Sequence, residues 1–427
     1  MKLKTLLKNR TVKNAGWIIG GRVVNKVLAF FVGILTARYL GPGNYGLINY
    51  AAAYTTFFAS VCTLGIDSVI IKNFSDHPDE TGTALGTTIL LRATSSVLSA
   101  LMIIGIAMIV DRDEPVTILV VALSTLGLVF QAFDSIKQWF QSRLQSKYAA
   151  IATLIAYVAA SAYKVILLIQ GRSVALFALA TAVDHLVVAI CLYIAYKKQR
   201  GPSFVWSKQK AKELLSVSGS YIIAGLMVSI YASTDKLMLK QMLDETTVGF
   251  YSTAVSISTT WAFVIQAVID SVYPSVIHAY KTNQALFEKR NRQMYALVIY
   301  IAGFVSLIIC VLAKPIMTIL YGAAYIPAAA PLKVVVWYTA FSYLGVARNA
   351  WMVCENKQHY LKYLYSGAAL INVILNVLLI PSFGATGAAA ASLITQISTT
   401  VLLPILIKPL RGNVKMMLEA VLLKDVF

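Results

Sequence analysis

The sequence has 427 residues, of which 58% are hydrophobic and only 13% are charged, and it carries 37 Lys and Arg against 18 Asp and Glu. Soluble domains carry about 25% charged residues. This composition therefore excludes a soluble enzyme, a nucleic-acid-binding module and a disordered chain. The four cysteines lie in apolar runs without metal-ligand spacing, so we expect neither a disulfide framework nor a metal site.

Twelve apolar segments are long enough to cross a bilayer as helices, which takes about 20 mostly apolar residues. The first is basic and then apolar like a signal peptide, but no small-residue cleavage site follows, so we expect it to be retained. The sequence thus predicts an all-α integral membrane protein with about twelve transmembrane helices. The segments are 14–38, 46–71, 82–110, 115–136, 148–169, 173–196, 213–239, 247–275, 293–312, 331–354, 361–380 and 384–407.

Basic residues are distributed unevenly between the two sides of this predicted topology. Of the 37, 25 fall in alternate segments that include both ends of the chain, 5 fall in the opposite loops and 7 fall inside spans. Because inner loops of membrane proteins are enriched in Lys and Arg, this bias predicts cytoplasmic N- and C-termini. The basic excess therefore reflects topology, and no nucleic-acid partner is expected.

Weak internal matches indicate a duplication of six spans. A repeat of six returns the chain to the same side, so the two halves would be parallel lobes, 1–200 and 201–410, around a central cavity. Residues 411–427 are typical of a short cytoplasmic interfacial helix. The matches pair Trp139 and Tyr148 with Trp351 and Tyr360, and Tyr45-Gly46 with Val248-Gly249.

Four basic residues lie in the inner halves of predicted spans, namely Arg22, Lys26, Arg92 and Arg348. A charge at such depth costs several kcal/mol. Each must pair with an acid such as Asp184, extend towards the interface, or face a hydrated cavity. A cationic cavity predicts an anionic substrate group, and phosphate or pyrophosphate suits paired basic side chains.

Two further features place polar groups within the bilayer. A row of polar residues from Asn49 to Asp67 shares one helix face, and so does a row from Ser252 to Asp270, which indicates protein or water beside these faces. Asp184 and His185 lie together in the middle of a span. They are either a proton relay or partners for a buried arginine.

Residues 36–47, TARYLGPGNYGL, contain a literal G-x-G-x-x-G, but it follows a membrane helix rather than a strand, which argues against a dinucleotide site. The run resembles the loop between the first two spans of bacterial polysaccharide flippases. These translocases belong to the multidrug/oligosaccharidyl-lipid/polysaccharide exporter superfamily. The basic N-terminus, the twelve spans and the Leu64-Gly65-Ile66-Asp67 turn also fit this family.

The resemblance implies a transporter without catalytic residues or an organic cofactor. Its substrate would be an undecaprenyl-pyrophosphate-linked oligosaccharide repeat unit, moved from the inner to the outer leaflet by alternating access for O-antigen or another surface polysaccharide. The pyrophosphate would bind Arg22, Lys26, Arg92 and Arg348, and the sugars would bind Asn25, Asn49, Asn372 and Asn376.

Two sources could drive such transport. One is an H+ or Na+ gradient acting through Asp184 and His185. The other is removal of the product by a downstream polymerase and its chain-length machinery.

Three alternatives stay open. An ion-coupled multidrug antiporter of the same superfamily would need acids in its cavity, whereas the deep charges here are mostly basic. A membrane glycosyltransferase or polymerase would need an extramembrane loop with carboxylates or histidine, and the segment 313–330 has neither. Lipid II flippases usually carry fourteen spans, against the twelve predicted here.

Overall fold

The computed structural model describes residues 10–424, and all regular secondary structure in that range is helical. The first helices are α1 (Arg10–Thr63), α2 (Asp67–Asp76), α3 (Thr81–Val110), α4 (Pro115–Phe130), α5 (Ser135–Ser142), α6 (Lys147–Ile169), α7 (Val174–Ala178), α8 (Ala180–Lys198) and α9 (Lys208–Met242). They are followed by α10 (Glu245–Thr260), α11 (Ala262–Thr282), α12 (Gln284–Val311), α13 (Ala313–Tyr321), α14 (Ala329–Cys354), α15 (Leu361–Ile397), α16 (Leu403–Leu406) and α17 (Arg411–Val421). A π-helical turn, Ser398–Leu402, joins α15 to α16.

Nine helices in the described range are long and apolar enough to cross a membrane. Two of them are too long for a single crossing, Val24–Thr63 with 40 residues and Gln358–Leu406 with 49. Each contains one non-helical glycine, Gly41 and Gly384 respectively, so each long helix covers two of the predicted spans.

A tenth candidate is the pair Lys208–Gly219 and Tyr221–Ile230 within α9, bent by 53°. Large apolar side chains also face outward, among them Ile169 (80% exposed), Ile109 (78%) and Leu98 (65%). Water would not favour such a surface, whereas lipid does. The prediction of an all-α, multi-pass membrane protein is confirmed, and the count of twelve spans stays a prediction.

The chain forms two compact units. Unit 1 contains the described residues up to Leu40 together with Leu47–Ser233, and unit 2 contains Gly41–Gly46 together with the residues from Thr234 onward. The division after Ser233 lies well beyond the junction predicted at residues 200 and 201. The reason is that the residues after 200 pack against unit 1.

Residues 201–207 form a segment bound to the first turns of α3. The amide of Val205 donates to the carbonyl of Gly82 (3.3 Å), and the amide of Ser207 donates to the hydroxyl of Thr87 (3.1 Å). A Cβ on Gly82 would lie 2.4 Å from a backbone oxygen of this segment, so the close approach requires glycine. Lys210 then forms an ion pair with Glu80 (2.6 Å).

Two turns in the chain share the same backbone geometry, and each begins at one of the duplicated tryptophans, Trp139 and Trp351. The fifth residue after each tryptophan has a positive φ, 54° at Leu144 and 53° at Asn356. The same geometry also ends the helices at Arg200 and Leu423, so it is a common helix C-cap, and the duplication stays a prediction. The closing hydrogen bonds are also equivalent, from Gln145 N to Phe140 O (2.8 Å) and from Lys357 N to Met352 O (2.9 Å).

The C-terminal helix α17 packs against α12 within unit 2. The amide of Asn413 donates to the hydroxyl of Tyr295 (2.6 Å), and both side chains are buried. Glu419 forms an ion pair with Arg292 (2.7 Å). The helix predicted at 411–427 therefore belongs to the fold of unit 2, and its position at a membrane interface stays a prediction.

Gly46 and Gly249, which the predicted duplication pairs with each other, pack closely in unit 2. A Cβ on Gly46 would lie 1.7 Å from the carbonyl oxygen of Glu245 and 2.8 Å from the amide nitrogen of Gly249. A Cβ on Gly249 would lie 2.1 Å from the carbonyl oxygen of Pro42. Two backbones can approach this closely only where neither residue carries a side chain.

We expect Gly46→Ala to destabilise unit 2 by about 1–3 kcal/mol or more, because the added methyl group overlaps backbone atoms. Thermal unfolding of the purified protein in detergent would measure the effect. Gly33→Ala is the matched control, since a Cβ there meets nothing within 4 Å. Equal unfolding midpoints for the two variants would show that the Gly46 contact is not tight.

Candidate functional site

Arg92 is buried in α3, and its guanidinium is already bonded. It forms an ion pair with Asp67 at the start of α2 (2.7 Å) and donates to the hydroxyl of Ser135 at the start of α5 (3.1 Å). The side-chain amide of Gln138 also donates to Asp67. Asp67 itself is 48% exposed. The predicted pyrophosphate ligand is thus the centre of a contact between three helices, and only its Nε lacks a partner in the described residues.

A polar cavity of about 320 Å³ lies in unit 1 between α1, α5 and α6. We call it the Lys137 cavity. Among the described residues, the one cationic side chain in its lining is Lys137, which is half-buried and forms an ion pair with Asp134 (2.9 Å). Asn25, a predicted sugar ligand, is part of the wall, and its Oδ1 has no partner in the described residues. The cavity is lined by Gly21, Asn25, Lys137, Gln141, Ser146, Ala149, Ala150 and Thr153.

A second cavity of unit 1, of about 310 Å³, reaches His185 in α8. Its other polar lining groups are neutral, namely Thr55, Thr56, Ser124, Gln131 and Thr181. Within the described residues, the Nδ1 of His185 and the Oδ1 of Asp184 are buried without hydrogen-bond partners. No hydrogen bond of the described residues thus links the two side chains through these atoms, and the proton relay stays a prediction.

Asp235 is the centre of a polar cluster in unit 2, and only 5% of it is exposed. Four neutral groups donate to its carboxylate, the amides of Asn372 (3.1 Å) and Asn376 (2.7 Å) and the hydroxyls of Tyr251 and Ser392. These residues come from α9, α10 and the two halves of α15. The Oδ1 of Asn376 has no partner in the described range. The predicted sugar ligands Asn372 and Asn376 are thus fully buried and bound to a carboxylate.

Arg348 is buried in α14 and contacts the π-helical turn. Its Nη1 donates to the carbonyl oxygen of Thr399 (2.9 Å), and its Nε has no partner in the described residues. A π-turn leaves carbonyl groups without their usual helical donors. No carboxylate of the described residues lies within ion-pair distance of Arg348, so this guanidinium bonds backbone in place of an acid.

The remaining predicted residues lie in α1. Lys26 is exposed and lies one position from Asn25, while Asn49 is half-buried. The side chain of Arg22 lies outside the described side chains. Arg22 and Lys26 are four residues apart and so share one helix face, adjacent to the face of Gly21 and Asn25. The structure therefore brings Asn25 to a cavity of unit 1, whereas Asn372 and Asn376 belong to unit 2.

Sequence reasoning missed two residues, Asp235 and Lys137. Apart from Glu213 at its first residue, the predicted span 213–239 has one carboxylate, Asp235, and a lone acid within an apolar span is itself a signal of function. Lys137 is one of the 25 basic residues that the charge bias places on the inner side, because the apolar run ends near it. No sequence pattern could show that α5 carries it into a cavity.

Comparison with known proteins identifies related chains. The profile of a family described as "Polysaccharide biosynthesis protein" matches residues 11–280. The capsular polysaccharide biosynthesis protein CapF of Staphylococcus aureus is 21% identical over 402 residues, which cover 90% of this chain and 96% of CapF. The probable low-salt glycan biosynthesis flippase Agl15 of Haloferax volcanii is 25% identical over 204 residues, which cover 47% of this chain and 42% of Agl15.

Solved structures show the same fold. The lipid II flippase MurJ in an inward closed conformation superimposes with a TM-score of 0.70 at 13% identity, covering 94% of this chain and 90% of MurJ. Multidrug resistance transporters of the MATE family share the fold as well. At these identities the likeness establishes the fold alone.

We expect Arg92→Gln to destabilise unit 1 because it breaks an ion pair whose arginine is buried. Breaking a fully buried pair costs about 3–5 kcal/mol, and the half-exposed Asp67 lowers this to about 1–3 kcal/mol. Thermal unfolding of Arg92→Gln and Asp67→Asn, alone and combined, would measure the coupling. An unchanged midpoint combined with lost transport would instead make Arg92 a substrate ligand.

Proposed function

We propose that this chain, which belongs to the polysaccharide biosynthesis protein family, is a flippase for lipid-linked oligosaccharides. Its relatives are flippases and transporters rather than enzymes. It moves an undecaprenyl-pyrophosphate-linked oligosaccharide repeat unit from the inner to the outer leaflet of the bacterial cytoplasmic membrane by alternating access. The product supplies O-antigen or another surface polysaccharide.

The observation that supports a sugar substrate is the chemistry of the Lys137 cavity. Asn25, Gln141 and Thr153 offer hydrogen-bonding atoms, and glycine and alanine leave room between them. The orphaned Oδ1 of Asn25 needs a donor, because an unsatisfied buried acceptor costs about 1–3 kcal/mol. A sugar hydroxyl supplies one.

The pyrophosphate then binds Arg22 and Lys26, on the neighbouring face of the same helix turn. Two cations side by side match the charge of a pyrophosphate. Arg92 and Arg348 are less suitable because both are buried. Arg92 is bonded to Asp67, and Arg348 is bonded to the carbonyl of Thr399. Positively charged residues at the predicted inner ends also favour first contact from the cytoplasm.

A cationic drug is a poorer match for this cavity. Binding of a lipophilic cation uses carboxylates or aromatic faces. The lining of the Lys137 cavity has neither, and its one charged side chain is a lysine. The multidrug antiporter therefore stays the second candidate, supported by the shared fold alone.

We expect Asn25→Leu and Lys137→Gln each to lower surface glycan about tenfold or more, because each removes a polar contact worth about 1.4 kcal/mol or more. The variants would be tested by complementing a deletion strain, extracting lipid-linked oligosaccharides and assigning them to a leaflet. Intermediates should accumulate on the inner leaflet. Immunoblots of membranes would confirm that each variant inserts.

Lys72→Gln is the control for this experiment, because Lys72 is exposed and lies outside the cavity lining. Glycan levels equal to wild type in both cavity variants would remove the sugar site from unit 1. Changed drug resistance in the deletion strain, with unchanged glycans, would favour the antiporter.

The coupling ion, H+ or Na+, acts in this proposal at Asp235 rather than at Asp184. The Asp235 cluster offers oxygen atoms from the carboxylate, from Ser392, from Tyr251 and from the unpartnered Oδ1 of Asn376. Hard cations prefer oxygen ligands. Asp184 has fewer such neighbours, so it remains the second candidate for coupling.

We expect Na+ to stabilise the wild type against thermal unfolding more than K+ does, by up to about 2.7 kcal/mol at 100-fold its Kd. Asp235→Asn should abolish the difference because it removes the charge at nearly constant volume, and Asp184→Asn should preserve it. A stabilisation that depends on pH and not on the choice of Na+ or K+ would indicate H+. Loss of the Na+ effect in Asp184→Asn alone would move the ion to unit 1.

A further inference from the structure

A groove of about 430 Å³ lies between α11 and α12 in unit 2. It differs from the cavities of unit 1 because one of its ends is polar and the remainder is apolar. Arg290 and Gln293 mark the polar end, and Leu297, Tyr300 and Leu423 form much of the apolar wall. This polarity gradient resembles that of a lipid molecule.

Arg290 at the polar end retains donors for an anion. Its Nη1 donates to the Oε1 of Gln293 (2.8 Å). Within residues 10–424, no carboxylate lies at ion-pair distance from it. Arg292, two positions further on, contrasts with it, because that guanidinium forms ion pairs with Glu288 (3.2 Å) and Glu419 (2.7 Å). The chain thus neutralises one of two neighbouring arginines and leaves the other for a ligand.

Exposed apolar side chains continue along α12 beyond the groove. After Leu297 and Tyr300, the exposed side chains on the same face are Phe304, Leu307 and Val311. At 1.5 Å per residue this stripe extends about 30 Å from Arg290, which equals the thickness of a bilayer's hydrocarbon core. An acyl chain beginning at Arg290 would have an apolar surface over its full length.

The far end of the chain completes the groove. The hydroxyl of Tyr300 donates to the carbonyl of Val421 (2.8 Å), which holds the end of α17 against α12. This contact places Leu423 in the wall. The groove is therefore built from three segments, α11, α12 and the residues after α17, and a ligand in it would bridge all three.

We propose that this groove is a binding site for an anionic phospholipid, with the phosphate on Arg290 and one acyl chain along Leu297, Tyr300 and Leu423. A single guanidinium matches the single charge of a phosphodiester, whereas a pyrophosphate needs more than one cation. The hydroxyl groups of Ser271 and Ser275 donate to backbone carbonyl groups of their own helix. Their oxygen atoms therefore keep lone pairs that can accept from a glycerol headgroup. The charge bias assigns this end of α12 to the inner leaflet.

The test is lipid binding to the full purified chain in detergent, measured by native mass spectrometry and by thermal unfolding. Phosphatidylglycerol should remain bound and raise the unfolding midpoint, and phosphatidylcholine should do neither. Arg290→Gln should lower the affinity for phosphatidylglycerol about tenfold or more, which is the loss expected for one charge-assisted hydrogen bond. Leu297→Trp should weaken it by filling the groove with the charge intact. Lys362→Gln is the control, since Lys362 is exposed and outside the lining.

Three results would overturn the proposal. Undecaprenyl phosphate that binds more tightly than phosphatidylglycerol would assign the groove to the substrate carrier. Inorganic phosphate that gives the same stabilisation would show that no acyl chain is held. Wild-type affinity in both Arg290→Gln and Leu297→Trp would locate the lipid elsewhere. None of these outcomes depends on transport, so the proposed flippase function is tested separately.

Discussion

The ion pair between Arg92 and Asp67 joins three helical segments of unit 1. Arg92 is too deep in α3 to reach water, so its charge must be matched by the protein. Asp67 provides that match from the first turn of α2, where a carboxylate also interacts favourably with the helix dipole. Ser135 and Gln138 add the start of α5. The position of α5 in turn places Lys137 in its cavity, so the geometry of the candidate sugar site depends on this pair.

Unit 2 meets the same constraint in two other ways. Asp235 is surrounded by four neutral donors, and Arg348 bonds a carbonyl group that a π-turn has released. A carboxylate satisfied by hydroxyls and amides can exchange them for a cation without leaving a charge unpaired. A guanidinium bonded to a carbonyl group could exchange it for an anion in the same way. Both clusters are thus buried charges held by neutral partners in apolar helices.

The sequence predicts the class of fold well, because about 20 apolar residues in succession have few other uses. It also predicts that Arg92, Arg348 and Asp184 lie within long apolar helices. It cannot predict partners, since Arg92 and Asp67 are brought together by the turn at Leu64 and Gly65, whose direction depends on backbone geometry. Nor can it predict that a single non-helical residue, Gly41 in α1 and Gly384 in α15, is all that separates two consecutive spans. Nor does any spacing rule specify the rotation of α1 that places Asn25 in the wall of a cavity.

The segment 201–207 has a consequence for how the fold evolved. A linker between two halves of a chain needs only to connect them, and a free linker tolerates insertions and deletions. Here the segment lies along Gly82 and Gly86 with paired backbone atoms, and Phe204 stacks on Tyr196. A change of one residue in length would shift every one of these contacts out of register. The joining segment is therefore part of unit 1, and we expect its length to vary less among related chains than that of a free linker.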